Sequence, residues 1–355
     1  MKIESINLVN FKNYDNLNLE FNNRVNFILG NNGVGKTNIL DAIHYLSFSK
    51  SFQKNIDRLN IKYGELFFSI RGFFYKNKLK QEVYLAFDEK RTKKIMVDNQ
   101  VCKKFSNHIG KFPIVMTTPF DISLILDSSE TRRKFIDVLI SQMDNIYLRN
   151  IIIYRKLLKQ RNLLLKNKNI NEGDITIYDE KLNKTSIFIF NKRKQIINIL
   201  KEKVCHYYKI ISDDEEIDLD YKSQLFEEDL SYLLKKNFQK DQILHYTSCG
   251  VHRDDIDFFL KKNVFKKTGS QGQQKSLIMA LKFAEFDILK EKLNFNPLLL
   301  IDDLFDKLDE HRIKKIMLLL KNNFGQVILT DTNNNRVNNI LVELDMDANC
   351  IMIND

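Results

Sequence analysis

The sequence predicts an α/β nucleotide-binding fold interrupted by a helical insert, and three stretches carry that prediction. The first is Gly30-Asn31-Asn32-Gly33-Val34-Gly35-Lys36-Thr37, entered from the apolar run Val25 to Leu29 and followed by helical apolar spacing at Ile39, Leu40, Ile43 and Leu46. The second is Leu298-Leu299-Leu300-Ile301, wholly apolar as a buried parallel strand is, which ends in Asp302-Asp303. Between them lies the third, from Ser128 to about Ile210, where Gly and Pro nearly vanish and apolar residues recur at helical intervals. At 355 residues the chain is long enough for two domains, the second inserted into the first.

The chemistry of the first stretch follows from its residue types. Glycines at 30, 33 and 35 let the backbone turn its N–H groups inward, and the helix that begins there adds its positive end, so phosphate oxygens are held at a helix N-terminus. Lys36 supplies a point charge to the β- and γ-phosphates, and the Thr37 hydroxyl completes the coordination of a magnesium ion. ATP or GTP is the expected ligand.

Ahead of the loop, residues 2 to 9 and 17 to 21 alternate as strands, with Asn10 to Asn16 between them, and read as a hairpin. Beyond the first helix, Leu66 to Tyr75 and Leu79 to Phe87 alternate on either side of Lys76-Asn77-Lys78, which predicts an antiparallel lobe. The insert carries Phe135, Val138, Leu139, Leu157, Leu158 and Leu165 in its first limb. A turn signal over 167–174 follows, and then Leu182, Ile189, Ile196, Ile197 and Leu200 in its second. Two limbs of about 35 residues give an antiparallel helical arm of roughly 50 Å. The acidic run Asp213 to Glu216 reads as a solvated turn.

The nucleotide site resumes at Ser270-Gln271-Gly272-Gln273-Gln274-Lys275. Ser270 is placed to cap a helix with apolar positions at Leu277, Ala280, Leu281, Ala284 and Ile288, and the turn offers a second set of unpaired N–H groups to phosphate. Asp302 then fits the magnesium-holding acid of a phosphate-loop ATPase and Asp303 the acid that positions the attacking water. Asp306-Lys307-Leu308-Asp309, a helix through Leu320, and a buried strand from Gln326 to Thr330 ending in Asp331 complete the series.

Composition excludes several classes. Hydrophobic residues make up 43% and charged residues 29%, and no apolar run reaches the length of a membrane helix. The N-terminus, Met1-Lys2-Ile3-Glu4-Ser5-Ile6, lacks the order of a signal peptide, so a cytoplasmic location is expected. Cys102, Cys205, Cys249 and Cys350 are scattered singly, without zinc spacing. A net charge of +10 suits a polyanionic partner, but the chain is also crowded with Lys, Asn and Ile and holds three Pro and no Trp, as AT-rich coding produces. The charge is therefore weak support for nucleic acid.

Taken together these stretches resemble the RecF family, within the SMC-like group of ABC-type ATPases. The likeness includes Asn10-Phe11-Lys12-Asn13-Tyr14, the loop with Thr37 to Ile43, Ser128 to Asp137, Leu157 to Asn162, Gly250 to Asp255, Ser270 to Lys275, and Leu300-Ile301-Asp302-Asp303 through Asp309. The resemblance implies an ABC-type ATPase head with an antiparallel β lobe, built from residues 1–125 and 245–355, and an inserted helical arm domain over 126–244. It implies ATP and Mg2+ as cofactors, with Lys12, Gly30 to Thr37, Ser270, Gly272 and Gln273 at the nucleotide. Ser270 and Gly272 would reach the γ-phosphate held by another copy's Lys36 in an ATP-dependent homodimer that closes over DNA. It further implies action with RecO and RecR at single-strand gaps and junctions, where the recombinase RecA is loaded.

The chain departs from that pattern at several points. Lys12 stands where the family usually has Arg, Val251 replaces Pro, and Asp306 replaces Ser. Asp303 is one methylene shorter than the Glu of most ABC-type ATPases, although two Asp in succession is also the pattern of the resembled family. No histidine follows the strand at 326–330, where transporters of this class carry a switch residue, and no Gln-bearing loop is placed, absences that predict slow, DNA-stimulated hydrolysis. Arg132, Arg133, Lys134, Arg155, Lys156, Lys159 and Arg161 are candidates to line a DNA path, and His252 and Arg253 to touch DNA or nucleotide; each also reads as a solvated face or a satisfied pair. The alternatives of another class are a small-molecule kinase, a transporter ATPase subunit and an SMC-like chromosome organiser.

Overall fold

The computed structural model describes residues 1–353 apart from Asn23, Lys54, Asn55, 168–170, Asp214, Leu304, Asp306 and Lys307. Part of the 167–174 linker, one acid of the 213–216 run, and Asp306-Lys307 thus lie outside the described residues. The chain divides into two compact units: Met1–Asp121 with Ile210–Asp213 and Ser270–Asp355, and Ile122–Lys209 with Asp214–Gly269.

The first unit holds two sheets. One is antiparallel, in the order β2-β1-β4-β5-β6-β7, from β1 (Lys2–Phe11), β2 (Tyr14–Glu20), β4 (Phe67–Lys76), β5 (Leu79–Asp88), β6 (Lys93–Val97) and β7 (Gln100–Val101). Its longest hairpin, β4–β5, turns on Asn77 and Lys78, both at positive φ, which is the two-residue turn whose twist matches the strands. The other sheet is parallel, in the order β14-β3-β13-β12-β8. It is built from β3 (Val25–Leu29), β8 (Ile114–Thr117), β12 (Leu298–Ile301), β13 (Val327–Asp331) and β14 (Asn349–Met352). Every residue of β3, β8, β12 and β13 is buried, which explains why these mostly apolar strands do not alternate and why β12 is apolar throughout.

Four helices accompany these sheets: α1 (Lys36–Phe48), α9 (Gln271–Leu293), α10 (Glu310–Asn323) and α11 (Asn334–Glu343). Ile39, Leu40, Ile43 and Leu46 of α1 join a core with Ile6, Leu8, Ile70 and Leu85 of the antiparallel sheet and Leu298, Leu300 and Ile328 of the parallel one. The helix after the phosphate loop is therefore gripped between the two sheets.

In the second unit, α2 (Ser123–Leu126) leads into α3 (Ser129–Met143), α4 (Asn145–Leu164) and α5 (Glu172–Ile211). The first limb breaks at Asp144, whose side chain accepts from the N–H groups of Ile146 and Tyr147 and caps α4. Leu182, Ile189, Ile196, Ile197 and Leu200 of α5 are buried, as the spacing predicts. This unit is more than helices. It contains a sheet in the order β11-β10-β9, from β9 (Ile217–Lys222), β10 (Asp255–Leu260) and β11 (Asn263–Val264), with α6 (Leu230–Lys236), α7 (Phe238–Leu244) and α8 (Phe265–Thr268). The expected return to the head at residue 245 is corrected here: β10 pairs with β9, so the chain stays in the second unit to Gly269.

Candidate nucleotide site

The site is assembled at the C-terminal ends of β3, β12 and β13, where a parallel sheet leaves room for ligands. Gly30 turns the chain out of β3 beside β14; a Cβ there would overlap the Ile353 carbonyl oxygen. Gly35, at φ 105°, precedes α1, and a Cβ on it would stand 2.5 Å from the Asn13 amide nitrogen and 2.7 Å from the Tyr14 hydroxyl. Asn13 comes from the turn between β1 and β2 and Tyr14 opens β2, and both hold the loop from outside. Asn13 Nδ2 donates to the Val34 carbonyl at 3.0 Å, the Tyr14 hydroxyl donates to the same oxygen at 3.2 Å, and Asn38 Nδ2 donates back to Asn13 Oδ1 at 2.7 Å.

Lys36 folds over the loop it belongs to. Its Nζ donates to the carbonyls of Gly30 at 2.8 Å and Asn31 at 2.7 Å. Burial lowers its pKa, while Asp302, Asp303 and Asp331 oppose that shift. The neighbouring Thr37 hydroxyl lies 3.0 Å from both carboxylate oxygens of Asp302. Asp302 directly follows β12 and is buried; burial raises its pKa, and the Thr330 and Thr37 hydroxyls and the Lys36 and Lys275 ammonium groups pull it back. Asp303 follows at φ 52°, a left-handed conformation uncommon for a residue with a side chain. Its N–H donates to Thr330 Oγ1 at 3.0 Å, and Lys275 Nζ donates to its carbonyl at 3.4 Å.

The donor set bears on magnesium. Among the described residues no group of three or more His, Cys, Asp or Glu side chains converges. One hydroxyl and one carboxylate in contact at a phosphate-binding loop are hard oxygen donors, which suit an ion that keeps waters and substrate phosphate for its remaining positions. Thr37 and Asp302 fit that ion.

Lys36, Thr37, Asp302 and Asp303 are thus brought together, while other expected residues are placed differently. Ser270 caps α9 as predicted: its Oγ accepts from Gln273 N at 3.3 Å and Gln273 Oε1 accepts from Ser270 N at 2.8 Å, a reciprocal capping box. Gly272 between them accepts from Ser276 Oγ at 2.9 Å through its carbonyl. Ser270 is exposed there. Lys12 pairs with Asp41 at 2.5 Å and donates to Gln53 Oε1 at 2.5 Å, while Asp41 also accepts from Ser51 Oγ at 2.6 Å and Phe52 N at 2.8 Å. The structure therefore sets Lys12 on α1, one turn beyond Thr37. Asp331, the last residue of β13, is buried and accepts from Asn333 N at 2.7 Å. Sequence reasoning did not single out Thr330, whose only signal is a polar residue closing an apolar strand.

In the second unit, Lys134, Arg155, Lys156 and Lys159 are exposed. Arg161 is corrected as a DNA-lining residue: its side chain is 0% exposed and is held by Asp179 at 2.6 Å, Asp241 at 2.7 Å and Thr247 at 2.9 Å. Arg132 forks onto Asp255 at 2.7 and 3.0 Å, and Arg133 donates to the Asp254 carbonyl at 2.6 Å. His252 sits between Tyr154, 2.6 Å from Nδ1, and the Thr247 carbonyl, 3.0 Å from Nε2.

A strand feeding a phosphate loop, a buried acid in contact with the loop's threonine, and a capped polar turn opening a long helix, beside an antiparallel lobe, define an ABC-type phosphate-loop ATPase head. The comparisons with known proteins agree with that class and narrow it. The family model described as RecF/RecN/SMC N terminal domain matches residues 2–107. The chain is 41% identical over 347 residues to the DNA replication and repair protein RecF of Flavobacterium johnsoniae, covering 96% of this chain and 97% of that protein. It is 40% identical to the protein of the same name from Cytophaga hutchinsonii, covering 95% and 90%. A solved structure of the recombination mediator protein RecF with ATPrS, from the RecFOR pathway, superposes with a TM-score of 0.88 at 29% identity, over 99% of this chain and 96% of that one. An Smc head bound to the C-terminal winged-helix domain of ScpA shares the fold, at a TM-score of 0.56 and 15% identity over 94% and 90%. This chain belongs to the RecF family of DNA replication and repair proteins.

Proposed function

We propose that the chain is an ATP-dependent DNA-binding protein of replication and recombinational repair, working as a homodimeric clamp that ATP closes and hydrolysis reopens. The observation that carries the proposal is the contact between Thr37 and Asp302 beside Lys36, because it couples the phosphate loop to the acid pair that hydrolysis requires. Lys36 leaves the Gly30 and Asn31 carbonyls for the β- and γ-phosphates of ATP, which offer it charge rather than dipoles. Thr37 and Asp302 would hold Mg2+, which would supply charge neutralisation at the phosphates, and Asp303 would orient the attacking water. The turn at Ser270, Gly272 and Gln273, with Ser270 exposed, completes the γ-phosphate site of a second copy.

The DNA path is drawn from the exposed cations of the second unit. A groove of about 370 Å3 there is lined by Arg155, Lys159 and Lys166 with Leu158, Asn162 and Leu163, three cations at one place on the surface. A solved relative named as a recombination mediator in the RecFOR pathway supports RecO and RecR as partners, while gaps and junctions as the DNA, loading of the strand-exchange recombinase as the outcome and the cytoplasm as the location rest on the family resemblance alone. Among the described residues no helix is long and apolar enough to cross a membrane.

The experiment is dissociation from gapped DNA during an ATP chase. Asp303→Asn should bind ATP and close the dimer, lose nearly all turnover, and stay on DNA at least several times longer than the parent. Equal residence times, with turnover confirmed lost, would show that hydrolysis does not set release and would refute the clamp.

A further inference from the structure

Thr330 is the last residue but one of β13, the strand between β3 and β12, and its side chain is 1% exposed. Its hydroxyl stands 2.7 Å from Asp302 Oδ1 and 3.0 Å from the backbone nitrogen of Asp303. A hydroxyl has one proton and two lone pairs. The Asp303 N–H can only donate, so it takes a lone pair, and the Thr330 proton is directed at Asp302. The orientation of the group is thus fixed by its two partners.

We infer that Thr330 is the positioning residue of the acid pair: one hydroxyl fixes the Asp302 carboxylate in the plane that faces Thr37 and pins the left-handed peptide that aims Asp303. The inference rests on the reading of Asp302 as a magnesium-holding acid and Asp303 as the water-orienting one. Two hydroxyls meet the Asp302 carboxylate in this structure, Thr37 and Thr330. Thr37 is the one expected to turn its oxygen to the ion, so Thr330 is the donor that continues to hold the carboxylate. Asp303 has a positive φ and a side chain, an arrangement that persists where the surroundings impose it. The bond from its N–H to Thr330 is such a constraint, and with the bond to Asp302 it ties the two acids to the strand beside them.

The test uses the full chain with Thr330→Val, Thr330→Ser and Asp302→Asn, a fluorescent ATP analogue titrated with Mg2+, and Mn2+ as a paramagnetic stand-in. Thr330→Val should bind the analogue in EDTA as the parent does. It should need about 10- to 100-fold more Mg2+ for half-saturation, in the range expected when a partner that orients a metal ligand is removed, alter the Mn2+ spectrum of the nucleotide complex, and lose turnover at saturating metal. Thr330→Ser should restore all three. If the valine variant does not fold, Thr330→Ala removes the same hydroxyl without setting a methyl group against the acids. A Thr330→Val titration that superposes on the parent's, or equal impairment in the serine variant, overturns the positioning role. Asp302→Asn tests the underlying reading separately. Loss of metal dependence there, with none in Thr330→Val, sinks the inference alone; parent-like behaviour in both sinks the reading and the inference together. An effect in Thr330→Val without one in Asp302→Asn overturns the inference too, since the hydroxyl is held to act through that carboxylate.

Discussion

The imidazole of His252 is neutral because of what surrounds it. The Thr247 carbonyl can only accept, so Nε2 carries the proton, and Nδ1 is left to accept from the Tyr154 hydroxyl. Burial, with Arg253 and Arg133 nearby and Asp241 opposing them, pushes its pKa down to about 4. An unfolded chain takes up this proton near pH 6.5, which the folded chain refuses until about pH 4. The unfolded state therefore binds more protons across that window, and stability rises with pH through it. Acidification from pH 7 should cost the second unit at most on the order of 3 kcal/mol from this residue. Urea unfolding of the parent and of His252→Gln at pH 7 and pH 5 checks it: the parent should lose more stability than the variant, and parallel losses would show that His252 does not carry the effect. A candidate ligand thus becomes a structural partner once its two neighbours are known, and neither neighbour, at positions 154 and 247, is signalled in the sequence around 252.

At the scale of elements, α9 has a cap that serves two purposes. Within the chain, Ser270 and Gln273 satisfy each other's backbone N–H groups, a box worth about 1 kcal/mol. Between chains, the proposal gives the same turn to the second copy's phosphate. Ser270→Arg should therefore leave ATP affinity of the monomer within about twofold while abolishing the ATP-dependent dimer in sedimentation velocity, and a variant that still dimerises would separate the turn from the interface. The elements legible in the sequence are those whose signal is local. The β4–β5 hairpin has clean alternation and a two-residue turn, the loop before α1 has its glycines and Lys36, and α9 has its cap residues three apart. Strand β8 was not legible, because four buried residues carry no period. Strand β9 alternates Ile217, Leu219 and Tyr221 inward, but Asp218 and Asp220 continue the acidic run before it and hide the strand. With β9 unread, β10 had no partner to keep it in the second unit, which is why the boundary at 245 was misplaced. Of the site, the acids and the loop could be read directly; Thr330 and the Asn13–Tyr14 clamp could not, since their roles exist only where strands distant in sequence lie side by side.

The whole molecule carries a net charge of +10, and the proposal assigns a share of it to DNA. If lysines and arginines displace counterions from several phosphates, affinity for gapped DNA should fall at least tenfold between 50 and 200 mM salt, with log affinity linear in log salt, the slope reporting the phosphates neutralised. Fluorescence anisotropy across that range measures it, and a flat response would return the surplus lysine to codon composition.

The sheet order has a further consequence, for the making of the protein. Strand β3 leads into the phosphate loop and is flanked by β13 and β14, so its neighbours are Val327 to Asp331 and Asn349 to Met352. Nearly 300 residues separate Leu29 from Val327. At bacterial elongation rates of about 5–20 residues per second, the loop strand waits roughly 15–60 s on the ribosome with both edges bare. Meanwhile β1, β2, β4 and β5 can already pair, and the whole second unit is synthesised. Nucleotide cannot template this wait, because the acid at 302 is not yet made. The nascent chain therefore depends on the early antiparallel lobe, with α1 packed on it, to keep this buried strand of the site from finding a partner on another chain.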